Sequence, residues 1–299
     1  MSLRRSYYYR VMREDSPPRR LKLDLPLVFF SVFSRAGLGL SILAGLWWAA
    51  EPGTLPLLGF RGAVLLGAAC LIVARSHANT TFGLFHVFAN PSSLLAGEIL
   101  CLLLWLACAA LHGTALRLGW LGPWTLRGLA LLVAALGALT LFLTGRIYRF
   151  AAHPFWNTQW VTFATFASAL TLGAATLGAA SAWHPGDGGG SDAAALAVLA
   201  LLTLTLQGFG VACFVRSTAD SSRRLSRPVP LRTPTCRGYL VLGFTLPALA
   251  LLAAAAFAPA RAPVLGLAAL SLYAAVFLDR ALFFQLETPA YFLSLRVRE

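Results

Sequence analysis

The chain has 299 residues, 58% hydrophobic and only 12% charged, with a formal net charge of +13. A soluble domain carries about 25% charged residues, so an ordinary globular protein in water is excluded. Basic excess in so apolar a chain belongs to topology and lipid headgroups, and no nucleic-acid partner is expected.

The first 24 residues are polar and basic. The apolar run that follows is too long for a signal h-region and lacks a small-residue cleavage site, so it reads as a retained helix. Apolar segments predict helices near 25–49, 56–75, 93–114, 123–146, 159–182, 193–215, 238–258 and 263–285. About 20 apolar residues cross the roughly 30 Å of bilayer hydrocarbon. The expected fold is therefore all-α, a polytopic bundle of eight transmembrane helices over 25–286. It lies between a basic tail (1–24) and a short C-terminal tail (287–299). Pro56, Pro123 and Pro263 fall at predicted helix starts, where a missing N–H costs little. Ser92 or Ser93 suits an N-cap for the third helix, and Asn157 or Thr158 for the fifth. Thr171, Ala175 and Ala179 repeat small residues at a spacing of four, which lets helices approach closely in lipid. No internal repeat is visible in the sequence.

Eight helices put both termini and the second, fourth and sixth loops on one side. That side collects 18 of the 24 Lys and Arg residues and the opposite side four, with Arg35 and Arg280 inside helices. The asymmetry predicts cytoplasmic termini. The five cysteines lie mostly in apolar runs and form no C-x-x-C pair, so no metal site is expected. Haem would need two histidines facing each other within helices. Only His112 is near a helix interior, so none is expected.

Ionisable groups inside a bilayer are costly and mark functional sites. Arg35 falls about 15 Å into its helix, and Glu98, Asp279 and Arg280 about 8–10 Å in from the same side. These residues outline a polar pocket on the cytoplasmic side. His77 follows the second helix, and Trp156-Asn157 opens the fifth. A histidine that titrates near neutral pH suits a ligand whose protons move with its electrons.

Four segments carry a family resemblance: Leu25 to Leu40, with Ser34-Arg35-Ala-Gly; His77 followed by Ser92-Ser-Leu-Leu-Ala-Gly-Glu98; Arg146-Ile-Tyr-Arg-Phe-Ala-Ala-His-Pro-Phe-Trp-Asn157-Thr; and Leu278-Asp-Arg280-Ala-Leu-Phe-Phe. In this order they resemble the dimethyl sulfoxide reductase membrane anchor family (DmsC type). The resemblance implies a non-catalytic, cofactor-free subunit that anchors an iron–sulfur subunit and a molybdopterin catalytic subunit in a bacterial inner membrane. It also implies exchange of electrons and protons with a quinone, menaquinone or ubiquinone, at His77 and Glu98. Arg35, Trp156, Asn157, Asp279 and Arg280 would complete that pocket. The best-known relatives have exported catalytic subunits. The cytoplasmic orientation expected here matches the family's sulfite-oxidising branch. Two other readings compete, a structural anchor without a quinone site and a secondary transporter.

Overall fold

The computed structural model describes residues 25–77, 93–149, 157–184, 189–224, 239–257 and 261–285. The described residues form helices and contain no strand. The elements are α1 (Leu25–Ala50), α2 (Thr54–His77), α3 (Leu94–Leu118), α4 (Pro123–Ile147), α5 (Gln159–Trp183) and α6 (Gly189–Arg224). A π-turn (Val241–Thr245) then leads into α7 (Leu246–Ala256), and α8 (Arg261–Gln285) follows. Among the described residues seven helices are long and apolar enough to cross a membrane, and a shorter apolar helix, α7, makes eight. The protein is a multi-pass membrane protein. The 1–24 and 287–299 tails lie outside the described residues.

Local chemistry sets several helix ends. The Ser93 hydroxyl caps α3 by accepting from the Ala96 N–H, and Thr158 caps α5 by accepting from Trp160. Pro123 opens α4. Two elements depart from the predicted bounds. The sixth helix does not stop near 215; it runs to Arg224 as a 36-residue helix, about 54 Å long. No Gly or Pro lies between the membrane span (Ser191–Ser217) and Arg224 to stop it earlier, and extending a formed helix is cheap. The seventh helix is not uniform over 238–258. Pro247 has no N–H and its ring crowds the carbonyl four residues back. The ladder widens there, and the Leu246 N–H bonds to the Val241 carbonyl.

Connections of three to five residues join α1 to α2, α3 to α4, α5 to α6 and α7 to α8, while the other three connections have eleven or more. The short connections share one face: His112 near the end of α3 meets Trp48 edge to face and packs on Phe60, and the Trp183 indole reaches Gly266. Trp120, Trp124 and Trp183 stand exposed there, as aromatic residues do at a membrane interface.

The pairing of helices repeats. In the first half α1 packs on α2, α2 on α3, α3 on α4 and α4 back on α1. In the second half α5, α6, α7 and α8 close the same ring. The halves join through α1 and α5, the two most buried spans. A Cβ at Gly39 would collide with the Ala169 carbonyl, and one at Gly173 would lie 2.5 Å from the Gly39 backbone. Glycine at both positions allows this crossing. Thr171 and Ala175 are buried beside it, and Ala179 is partly buried. This repeat escaped the sequence reading because it resides in helix pairing. Its trace in sequence is confined to Ser31-x-x-Ser34-x-x-x-Leu38-Gly39 in α1 and Thr165-x-x-Ser168-x-x-x-Leu172-Gly173 in α5.

Candidate functional site

The glycine crossing places the first polar group. Arg35 lies one turn before Gly39 on α1, and the close approach brings it onto α5. Its two terminal nitrogens donate to the Ser168 and Thr165 hydroxyls, each at 2.9 Å. Those hydroxyls donate in turn to the Thr165 and Val161 carbonyls of their own helix. Their lone pairs are thus left for the guanidinium. Asp279 of α8 lies 3.8 Å from Arg35 and accepts two bonds from Arg280, at 2.9 and 2.5 Å. Arg280 also lies over the Phe283 ring, 4.4 Å from its centre, a favourable place for a cation. The cluster holds two cations and one anion.

Three further groups reach this cluster. Tyr239, in the turn of helix that leads into the π-turn, is in electrostatic range of Arg35, Asp279 and Arg280, and Tyr148 of Arg35. Gln207 of α6 faces the Tyr239 hydroxyl. Gly243 packs against the Tyr239 ring and Ala275, so the π-turn seats the tyrosine against α8.

Glu98 sits elsewhere. It is buried near the start of α3, where it accepts from the Thr144 hydroxyl of α4 at 2.5 Å. That same hydroxyl lies 2.9 Å from the Thr140 carbonyl. One hydroxyl proton cannot serve both acceptors at full strength. Either the Thr144 proton is shared, or Glu98 carries a proton and donates it to Thr144. Cys70 of α2 lies close to Glu98, and its thiol reaches the Phe30 carbonyl of α1. α1 therefore stands between two polar groups, with Arg35 turned to α5 and α8 and Phe30 turned towards the Glu98 side.

Of the residues expected to line one pocket, the structure joins Arg35, Asp279 and Arg280 and holds Glu98 against α4. His77 closes α2 on the same face, and its side chain lies outside the described residues, as does Trp156. Asn157 is exposed just before α5. The sequence reading missed Thr144, Thr165, Ser168, Gln207 and Tyr239. A usable signal existed for two kinds of them. Gln207 is the one amide in its apolar span, and Thr165 and Ser168 stand three apart on one helix face. Nothing local distinguishes Thr144 or Tyr239.

On the opposite face, Leu43, Trp47, Ala50, Glu51, Leu196 and Leu199 help to line an apolar groove of about 340 Å³ between α1 and α6. His112 is fully buried in the core of the first half, and neither ring nitrogen has a hydrogen-bond partner. Among the described residues no group of three His, Cys, Asp or Glu side chains has metal-site geometry. No protein-family model matches the chain, and no curated protein matches it in sequence.

Proposed function

We propose that the chain is the membrane anchor subunit of a molybdopterin and iron–sulfur oxidoreductase, and that it exchanges electrons and protons with membrane quinone on its long-loop face. The observation that carries the reading is the pair of buried polar groups on that face, one cationic and one carboxylic, on either side of α1. A quinone gains two electrons and two protons when it is reduced. Arg35 and Arg280 offer N–H groups to an oxygen that becomes negative, and Glu98 offers a carboxyl for proton exchange beside Thr144. His77 at the end of α2 supplies a second proton-exchanging group, and Trp156 and Asn157 flank the mouth.

In this reading α7 crosses the membrane with its π-turn, giving eight crossings. About 27 Å of helix over 239–256 matches the hydrocarbon thickness. Both termini then lie in the cytoplasm of a bacterial cell, on the face with 18 basic residues against four. A periplasm-active reporter fused at residue 299 should be silent. Activity there would overturn the orientation.

Co-purification of an iron–sulfur subunit and a molybdenum subunit, with bound quinone, is the deciding experiment. In that complex Glu98→Gln or His77→Ala should slow quinone-linked turnover about 10²-fold, a typical worth of one proton-transfer group. Turnover with a dye that feeds the partner subunits directly should persist. Full quinone turnover in both variants would remove these residues from the site. A secondary transporter is the second reading, favoured by the paired four-helix halves, since parallel repeats underlie several transporter folds. Purification of the chain alone, with substrate uptake in vesicles, would select it.

A further inference from the structure

Hydrogen-bonding atoms buried without partners are rare and call for an explanation, and four of them converge at the Asp279 cluster. Arg35, Gln207, Arg280 and Tyr239 are only 1, 1, 3 and 5% exposed. Arg35 Nε, Arg280 Nη1, the Tyr239 hydroxyl and Gln207 Oε1 complete no hydrogen bond. They come from α1, α8, the turn before the π-turn and α6; Tyr239 is in electrostatic range of Arg35 and Arg280 and faces Gln207. Asp279 balances one guanidinium of two, so the cluster retains one positive charge. Three of the four unpartnered atoms can donate. What the arrangement lacks is a hydrogen-bond acceptor that carries negative charge.

We propose that Arg35 Nε, Arg280 Nη1 and the Tyr239 hydroxyl form an oxyanion site that takes one ionised ring oxygen of a hydroxylated quinoid ligand. Gln207, which faces the Tyr239 hydroxyl, borders the site. The proposal rests on the quinone reading and adds to it the ionisation state of the ligand and a role for Tyr239.

The test uses the full chain in nanodiscs and two probes, 2-hydroxy-1,4-naphthoquinone, an anion at neutral pH, and its neutral 2-methoxy ether. Titration calorimetry should show the anion binding at least about tenfold more tightly, the scale of one charge-assisted hydrogen bond. Tyr239→Phe keeps the ring and removes the hydroxyl, so most of that preference should disappear. Tyr273→Phe, whose hydroxyl pairs with Thr176 at 3.2 Å, should keep it. Equal binding of the two probes, or a preference untouched by Tyr239→Phe, overturns the oxyanion site and leaves the quinone reading standing. Binding of neither probe overturns both.

Discussion

The two halves of the bundle share one plan of helix pairing and hold different chemistry. In the first half, α1 to α4, the polar interior among the described residues consists, apart from Arg35, of neutral groups and one carboxyl. The Trp105 indole donates to Ser41 at 2.7 Å, and Thr144 meets Glu98. In the second half, α5 to α8, an aspartate and an arginine from α8 meet Arg35, supplied by α1 across the Gly39–Gly173 crossing. A repeated scaffold fixes where side chains can meet and leaves their chemistry to single residues. The half with the ion pairs is also the half whose seventh helix is interrupted, and the interruption is what seats Tyr239.

The difference can be broken most strongly at Asp279. Asp279→Asn leaves two buried guanidinium groups without their anion and should destabilise the protein by about 3–5 kcal/mol, the usual result of removing one partner from a buried pair. Denaturant unfolding measures the loss. Hydrogen exchange should show α5 to α8 loosening more than α3 and α4, and equal loosening would mean that the halves are not separate energetic units.

A smaller break tests the seam between the halves. Gly39→Ala sets a methyl group against the Ala169 backbone, which cannot rotate away, and should cost about 3 kcal/mol. Gly113→Ala in α3 meets open space and should stabilise by up to about 1 kcal/mol through helix propensity. Similar melting temperatures for the two variants would remove the crossing as the constraint.

The smallest change concerns the first half alone. Thr144→Val removes the hydroxyl from Glu98 and should cost about 1–2 kcal/mol without affecting the Asp279 cluster. Infrared difference spectra of the Glu98 carboxyl should shift in this variant. An unchanged carboxyl band would show that Thr144 does not set the environment of Glu98.

Composition and run length were enough for the membrane class and the helix order, because these depend on lipid thickness; local residue types narrowed the caps to Ser92 or Ser93 and to Asn157 or Thr158, and the structure selects Ser93 and Thr158. Arg35, Glu98, Asp279 and Arg280 were legible as unusual for the same reason: a charge in an apolar run stands out without any knowledge of its partners. Which of them meet was not legible. Arg35 and Thr165 are 130 positions apart, and Glu98 and Thr144 are 46 apart. Their pairing depends on which helix faces pack, and for Arg35 that follows from close approach at Gly39 and Gly173. The length of α6 and the π-turn before α7 were also decided above the level of apolar runs, by helix continuation past the lipid and by a proline's effect on the carbonyl four residues back. The paired four-helix halves emerge from tertiary structure, with only the short trace in α1 and α5 to mark them in sequence. Lipid-facing positions accept almost any apolar side chain, so two helices can occupy equivalent places with little sequence in common.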